Sequence, residues 1–544
     1  MRWFGKLLWL VLVPGLVMAQ TSTPNTGSTP ATSVADELKA LREAMTQQQQ
    51  QIAQQQQQIE KLQKQLEATT AGTPHVENAA LHTNAATNVP AVASDTQQPE
   101  KPKESPLSFR IGGADFTPGG FVDFENVFRS TNTGSNVTTG FGSIPYSNTV
   151  QGHLNEYRST GQYSRFNLQT HTKFGENDVT GYIEFDFNGS DPANVFVTSN
   201  SHTDRLRLFW LDLKRGQWEF LGGQTWGLQT PNRVGFSPAP SNMALTIGED
   251  AAVHVGANYT RAGEFRAVWH PNDRFGWAFA IQNPEQFVGA GEVILPFAFN
   301  AQLGTQFDAA NNPGTPNAGP VFLTKLGYDS DPGGRHFHIE GGALGLVVKI
   351  TNLPIGGTSF VHHAKMGGGA FAALNYELVP KRVRLLASGM MGNGTGRFLN
   401  GLAPDTVVRP VATGPAAFDV DVSLVHSGGA IGGIEMQPGK NTQFGFYYGG
   451  MYAQRNAFPD LTSPLVVKPI IGFGGINSPN SANRAVQEAS VDWTQTFWRN
   501  PQYGAVLLVT QTSYVTRAPW FVAAGAPKNA HLTMAFVSLR YVLP

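Results

Sequence analysis

The 544-residue chain contains no cysteine, which excludes disulfides, thiolate metal sites and cysteine catalysis. Charged residues are also scarce: they make up 14% of the chain, against about 25% in typical soluble proteins. The formal net charge is −1, so bulk charge gives no support for a nucleic-acid partner. These absences argue against a cytosolic redox or nucleic-acid-binding protein.

Long apolar runs are absent except for one short run near the N-terminus. Arg2 and Lys6 precede an apolar stretch over 7–17, and Ala19 provides a small residue at its end. This stretch is far below the ~20 residues that a transmembrane helix needs, so it predicts a cleaved signal peptide over 1–19. The protein is therefore expected to be exported, and its insertion into a membrane would require a β-barrel.

The sequence from 106 to 544 does contain a strong pattern, in which segments of alternating apolar and polar residues are separated by turns of two kinds. Seven short turns, such as 175–178 and 438–441, alternate with eight long loops rich in Gly, Asn, Ser and Pro. Short connections at one end and long ones at the other are typical of a transmembrane β-barrel. Counting them predicts sixteen antiparallel strands, with both ends of the barrel on the short-turn, periplasmic side.

A seven-residue repeat of apolar side chains precedes the predicted barrel. Its first row is Leu38, Met45, Ile52, Ile59 and Leu66. The repeat predicts a coiled coil over 33–68, with a trimer preferred and a dimer as the alternative. The flanking segments 20–32 and 69–105 are predicted to be disordered and a flexible linker, respectively. Because the coiled coil precedes the first strand, it is expected in the periplasm.

Alternation also assigns a direction to the side chains of each predicted strand. In the second strand, Phe166 suits lipid and Arg165 suits a water-filled lumen. In the fourth strand, Leu206, Leu208 and Trp210 are expected to face lipid. A charged side chain facing lipid costs about 2–4 kcal/mol at mid-membrane, so the recurring arginines are assigned to the lumen. They are Arg165, Arg205, Arg207, Arg266 and Arg384.

Two interpretations of these arginines are open. They can pair with Glu184, Asp186 and Glu264 on neighbouring strands, or they can form a ladder that faces an acidic ladder across a constriction. Rings of arginine select anions in pores, and guanidinium groups bind carboxylates through two hydrogen bonds. We prefer the second interpretation.

The run Arg205-Leu206-Arg207, followed by Leu221-Gly222-Gly223-Gln224-Thr225-Trp226, resembles the DcaP-like outer-membrane porins. Earlier segments around 119–121, 164–166 and 181–187 resemble that family as well. The resemblance covers most of 33–282 and implies a trimeric, sixteen-stranded porin with a periplasmic coiled coil. It also implies diffusion of small anions, notably dicarboxylates, past arginines in a constriction.

By this resemblance the third long loop folds into the lumen and begins near Gln224 and Trp226. The predicted constriction comprises Arg165, Arg205, Arg207, Arg266, Arg384, Glu184, Asp186, Gln224 and Trp226. The expected partners are two further copies of the chain, outer-membrane lipid, small anionic solutes and, through the coiled coil, peptidoglycan. A phosphate-selective or general diffusion porin is one alternative, and an adhesin or cell-wall-tethering protein is another.

Other candidate chemistry is weaker. His336, His338 and Glu340 share one strand face and form a feasible metal set, but an ordinary lumen-facing strand is the preferred interpretation. The nucleophile motif Gly-x-Ser-x-Gly is absent from the sequence, which disfavours an outer-membrane hydrolase. We therefore expect no enzymatic activity, no metal and no cofactor.

Overall fold

The computed structural model describes residues 105–189, 202–238, 254–289, 291–309, 316–317 and 319–544. The predicted signal peptide, disordered segment and coiled coil, and nearly all of the predicted linker, lie outside the described residues. Those four assignments stay predictions.

Sixteen strands form a closed antiparallel barrel, as the sequence predicts. The first eight are β1 (Ala114–Arg129), β2 (Glu156–Thr160 with Arg165–Phe174), β3 (Asn177–Asp186), β4 (Arg205–Arg215), β5 (Trp218–Trp226), β6 (Arg261–Asn272), β7 (Phe275–Gln282) and β8 (Val321–Ser330). The second eight are β9 (Phe337–Asn352), β10 (Val361–Val379), β11 (Val383–Asn393), β12 (His426–Gly439), β13 (Thr442–Ala453), β14 (Asn483–Asn500), β15 (Gly504–Pro519) and β16 (Ala530–Val542). Pairing of β1 with both β2 and β16 closes the barrel.

The connections follow the predicted alternation of short turns and long loops. Short turns link β2 to β3, β4 to β5 and every second strand pair thereafter, and the strand stretch Phe109–Ile111 pairs with the start of β1. An even number of strands brings the start of β1 and the end of β16 to the short-turn side. In barrels of this kind that side faces the periplasm.

Apolar and polar side chains alternate between the outside and the inside of the wall. On β1, Val122 and Phe124 are exposed, whereas Asp123 and Glu125 between and beside them are buried. Such alternation leaves an apolar outer band for lipid and a polar interior. In the described part of the chain, no helix is both long and apolar enough to cross a membrane.

A β-bulge in β4 interrupts this alternation. Leu206 pairs with Phe185 and Leu208 pairs with Glu184, so Arg207 is the extra residue. Since one inserted residue reverses the direction of all that follow, Leu208 is buried rather than exposed. The prediction that Leu208 faces lipid was wrong for this reason.

The same shift moves the other side chains of β4. Trp210 was also predicted to face lipid, but its ring stacks on that of Tyr182 at a centroid distance of 5.2 Å. Phe209 and Leu211 take the exposed positions instead. The bulge therefore brings Arg207 and Leu208 to the interior together.

The long loops build further structure on the side opposite the short turns. A hairpin of Thr406–Gly414 and Ala417–Leu424 lies between β11 and β12, and Val293–Ile294, Ile470–Phe473 and Asn456–Pro459 form a small sheet. Helical turns in these loops occur at Phe141–Ser143, Val150–His153, Phe297–Phe299, Asn300–Leu303, Gly304–Gln306 and Gly396–Phe398, and one further helical turn, Pro332–Gly334, forms the short turn between β8 and β9. Phe299, Leu303 and Phe473 are fully buried among these loops. The loops thus have an apolar core of their own.

Candidate functional site

Three adjacent strands bring together five of the predicted site residues. Both Nε and Nη2 of Arg205 donate to the carboxylate of Asp186, at 3.0 and 2.7 Å. Arg207 bridges two acids, with Nε 2.8 Å from Glu184 Oε1 and Nη1 2.9 Å from Asp186 Oδ2. Nε of Arg165 lies 3.6 Å from the same Glu184 oxygen. These five residues are called the mid-height cluster, because they lie about eight residues above the short turn after β2.

Neighbouring strands continue the mid-height cluster around the wall. The guanidinium groups of Arg165 and Arg540 lie 5.3 and 4.0 Å from the centre of the Phe121 ring. Nη2 of Arg540 is 2.7 Å from Asp123 Oδ2. The sequence analysis missed Arg540, although its position between Leu539 and Tyr541 on the last strand gives it the same alternation signal as the other arginines.

The arginines of the mid-height cluster differ in their access to solvent. The side chain of Arg207 is 0% exposed and that of Arg165 is also buried, whereas 31% of the Arg205 side chain is exposed. Asp186 and Glu184 are buried. Of the charges in this cluster, the one that a molecule in the lumen can touch is therefore the guanidinium of Arg205.

Arg266 belongs to a second cluster. Its Nε donates to Glu264 Oε1 at 2.9 Å, and it also donates to the backbone carbonyls of Trp226 and Phe236, at 2.9 and 3.0 Å. Gln282 donates to the other oxygen of Glu264 at 2.7 Å. Arg266 is buried, and its contacts fasten the start of the third long loop to β6.

Arg384 lies in a third cluster near the short-turn end of the barrel. Its guanidinium is 3.3 Å from Glu377 and 3.5 Å from Glu435. Arg233, from the third long loop, binds Glu435 through two hydrogen bonds of 2.7 and 2.6 Å. Tyr447 donates a further hydrogen bond to Glu435 at 2.9 Å. We call Arg233, Arg384, Glu377 and Glu435 the turn-side cluster. In this cluster, 25% of the Arg384 side chain is exposed.

Gln224 and Trp226 lie at the upper end of β5, where the third long loop begins. The side-chain amide of Gln224 donates to the backbone carbonyl of Arg207 at 2.6 Å, next to the bulge. The buried Trp226 ring lies 6.0 Å from the Arg207 guanidinium and 5.7 Å from that of Arg261. Both residues therefore contact Arg207 of the mid-height cluster. The side chain of Gln224 binds its backbone carbonyl, and the ring of Trp226 lies near its guanidinium.

The first part of the third long loop lies against the inner wall. Lys325 donates to the carbonyl of Thr230 at 3.1 Å, and the backbone N–H of Asn232 donates to Glu340 at 3.2 Å. The backbone N–H of Gly235 donates to Asp329 at 3.1 Å. Together with the pair between Arg233 and Glu435, these bonds hold the loop against β8, β9 and β12, inside the barrel.

The residues of the candidate metal set, His336, His338 and Glu340, take part in holding the third loop to the wall. His338 lies 2.8 Å from Asp329 and 3.1 Å from Glu340, which in turn is 2.8 Å from Lys325. His336 contacts the carbonyl of Arg233 at 3.1 Å. Among the described residues, no group of three or more His, Cys, Asp or Glu side chains is placed to hold a metal ion. His338 and Glu340 instead anchor the loop.

The returning part of the third loop contacts β12, β13 and β14. His254 lies between Glu488 and Asp492 of β14, at 3.8 and 3.6 Å, and the N–H of Val255 donates to Glu488 at 2.7 Å. A Cβ on Gly256 would lie 2.1 Å from the carbonyl oxygen of Ala430, and its φ is +89°. This contact between backbones requires glycine.

A closed sixteen-stranded barrel with an apolar outer band, a polar lumen and a loop attached inside it is the architecture of outer-membrane porins. No family model and no curated protein matches the chain. Among solved structures it is similar to the outer membrane channel DcaP of Acinetobacter baumannii, with a TM-score of 0.55 and 15% identity. That alignment covers 80% of this chain and 100% of the DcaP chain.

An anion-selective porin from Comamonas acidovorans is more distant, with a TM-score of 0.43 and 9% identity over 79% of this chain and 100% of that chain. At these identities the likeness concerns the fold alone. The resemblance to DcaP-like porins that the sequence predicts is confirmed at the level of the fold.

Proposed function

We propose that this chain is a passive outer-membrane porin that prefers small anionic solutes, in particular mono- and dicarboxylates, and that it assembles as a homotrimer. The observation that carries the anion preference is a difference in exposure. Arg205 and Arg384 keep 31% and 25% of their side chains exposed, whereas their partners Asp186 and Glu435 keep 0% and 9%. At these two pairs a solute in the lumen meets the guanidinium group while its partner carboxylate stays covered.

The balance of charges in the mid-height cluster supports the same preference. Arg165, Arg205 and Arg207 share the two carboxylates of Glu184 and Asp186, so the cluster has one surplus positive charge. Charge inside a narrow, low-dielectric passage concentrates counter-ions more than the same charge on an open surface. Small anions are therefore expected to be enriched in the lumen relative to small cations.

Transport needs no chemical step, and the solute gradient drives it. Asp186 already occupies two N–H groups of Arg205, so a solute carboxylate binds at the exposed edge of the guanidinium rather than replacing the whole pair. Binding of that kind is weak enough to allow release, which conduction requires. Arg384 at the short-turn end then offers a second contact before the solute leaves.

The test is the ion selectivity of the purified protein in planar bilayers. The reversal potential in a salt gradient should indicate anion preference for the wild type, and Arg205→Ala should reduce it. Arg215→Ala is a matched control, because it removes the same charge from a largely exposed position beside a short turn. Cation preference of the wild type would overturn the anion assignment, and an unchanged selectivity of Arg205→Ala would overturn the role of Arg205.

The solute class is tested by competition in the same bilayers. A dicarboxylate should block the chloride current at a lower concentration than phosphate does, because guanidinium groups at two heights can take its two carboxylates in turn. The opposite order would favour the phosphate-selective alternative. Deleting 33–68 tests the tethering alternative, since loss of cell-wall association with unchanged permeability would assign that role to the coiled coil.

A further inference from the structure

A groove crosses the lipid-facing surface of the barrel from β6 to β9. It has a volume of about 490 Å³, and its lining includes Phe265, Ala267, Phe279, Phe322, Ala343 and Gly345. The three phenylalanines are exposed on the outside of the barrel and form its walls. Gly345 pairs directly with Phe322, and Ala343 with Thr324, so small residues on β9 form the floor beside bulky neighbours.

The height of the groove follows from the strand geometry. Phe337 at the short-turn end of β9 packs against Tyr328 and Tyr376, at ring distances of 6.5 and 5.9 Å, as in the aromatic girdle at a membrane interface. A strand tilted by about 45° climbs roughly 2.4 Å per residue. Gly345 then lies about 19 Å and Lys349 about 29 Å above Phe337, while the apolar band is about 25 Å tall. The groove lies in the outer leaflet and Lys349 lies just above the hydrocarbon.

Lys349 provides positive charge at the upper end of the groove, and His362 provides a further hydrogen-bonding group there. Successive side chains of a strand alternate, so Lys349 and Thr351 share the outer face with Gly345. Thr351 pairs with His362, and Oγ1 of Thr351 lies 2.8 Å from Nδ1 of His362. Both Lys349 and His362 are exposed, and no ion pair within the described ranges involves Lys349. A cation thus stands at headgroup level directly above an apolar groove.

We propose that this face binds a phosphorylated acyl lipid of the outer leaflet, with one acyl chain in the groove and a phosphate against Lys349 and His362. The proposal rests on the outer-membrane placement proposed above, but not on which solutes pass through the lumen. Walls of phenylalanine around a floor of alanine and glycine fit a flexible hydrocarbon chain. The exposed lysine supplies the charge complementarity that distinguishes a phosphorylated lipid from an uncharged one.

The experiment is native mass spectrometry of the purified protein, titrated with diphosphoryl lipid A and, separately, with the same lipid after its phosphates have been removed. The wild type should retain the phosphorylated lipid preferentially. Lys349→Gln should lower that preference about fivefold, the effect of one basic residue at a membrane surface. Lys365→Gln is the matched control, since Lys365 is an exposed lysine of the adjacent strand whose alternation places it on the opposite face.

A second variant tests the groove independently of the charge. Gly345→Phe should fill the floor and lower retention of both lipids, and its channel current reports that the barrel is intact. Equal retention of the two lipids by the wild type, or an equal effect of Lys365→Gln and Lys349→Gln, would overturn the proposal. Neither result bears on the ion selectivity measured for the Arg205 variant, so the two proposals fail separately.

Discussion

The mid-height cluster and the turn-side cluster use the same chemistry for different ends. In the first, Arg205 and Arg207 come from the barrel wall and pair with acids on the neighbouring strand. In the second, Arg233 comes from the third long loop and binds Glu435 on β12. The first cluster has one more arginine than acids, and the second is balanced. The contrast suggests that wall-borne arginines set the charge of the passage, while the loop-borne arginine sets its shape.

The largest effect is expected from Arg207→Ala. Arg207 is fully buried and contacts both Glu184 and Asp186, so its removal leaves two buried acids short of a partner. Breaking a buried ion pair from one side costs about 3–5 kcal/mol. Unfolding in urea should show a loss of this size, with a much smaller loss for the partly exposed Arg205→Ala. Equal losses would mean that burial does not separate the two arginines.

A buried carboxyl outside both clusters provides the converse case. Glu292 lies in the long loop after β7, on the side of the barrel opposite the short turns, and burial raises its pKa to about 8 against the opposing charge of Arg517. The folded pKa lies above the unfolded one, so the protonated form favours folding and this stabilisation is lost as the pH rises through 8. From pH 6 to pH 9 the contribution of Glu292 to the free energy of unfolding should fall by about 2–3 kcal/mol.

The measurement for Glu292 is the free energy of unfolding at the two pH values. Glu292→Gln should make the decrease smaller by this amount, because its amide does not ionise. Glu176→Gln is the control, since the Glu176 side chain is 81% exposed at a short turn. A pH profile that is the same in wild type and Glu292→Gln would remove this carboxyl from the explanation.

The next effect concerns the shape of the passage. Arg233→Ala removes both hydrogen bonds to Glu435 and should loosen the first part of the third long loop from β12. Single-channel conductance in planar bilayers should increase, and its noise should increase with it. Arg384→Ala removes a charge from the same cluster without breaking the Arg233 pair, so its conductance should stay close to that of the wild type. A conductance increase in both variants would show that charge, rather than loop attachment, controls the passage.

The smallest effect tests the balance of the turn-side cluster. Glu377→Gln changes its two arginines and two carboxylates to a set with one surplus positive charge. Anion preference, measured by the reversal potential, should increase slightly, by less than Arg205→Ala decreases it, because only 11% of the Glu377 side chain is exposed. A shift toward cations would contradict the view that net cluster charge sets selectivity.

Particular residues show which side-chain directions and which ion-pair partners could be predicted from the sequence. The alternation of apolar and polar residues was enough to place Arg165 and Arg266 inside the barrel, because a charged side chain that faces lipid costs too much free energy. It failed at Leu208 and Trp210, because a one-residue bulge leaves no mark in the pattern. The partners were harder still: Arg233 lies in a loop without periodicity, and its pairing with Glu435 spans 202 positions in the chain.

The largest underestimate of strand length from the sequence concerns one hairpin. The sequence predicts strands at 335–345 and 367–377, but β9 continues to Asn352 and β10 starts at Val361. Leu346, Val348 and Ile350 alternate and are buried, so the signal was present. The glycines at 367–369 concealed it, because glycine usually marks the end of a strand and here lies within the paired part of the hairpin.

The contacts at Gly256 and Gly449 bear on how the channel responds to voltage. A Cβ on Gly449 would lie 2.0 Å from the carbonyl oxygen of Val255, so loop and wall touch backbone to backbone. Both described parts of the third loop, 227–238 and 254–260, are thus attached to the barrel, the first by Arg233 on β12 and the second by these backbone contacts on β12 and β13. We therefore expect the current through the channel to rise in proportion to voltage, rather than to switch between open and closed levels.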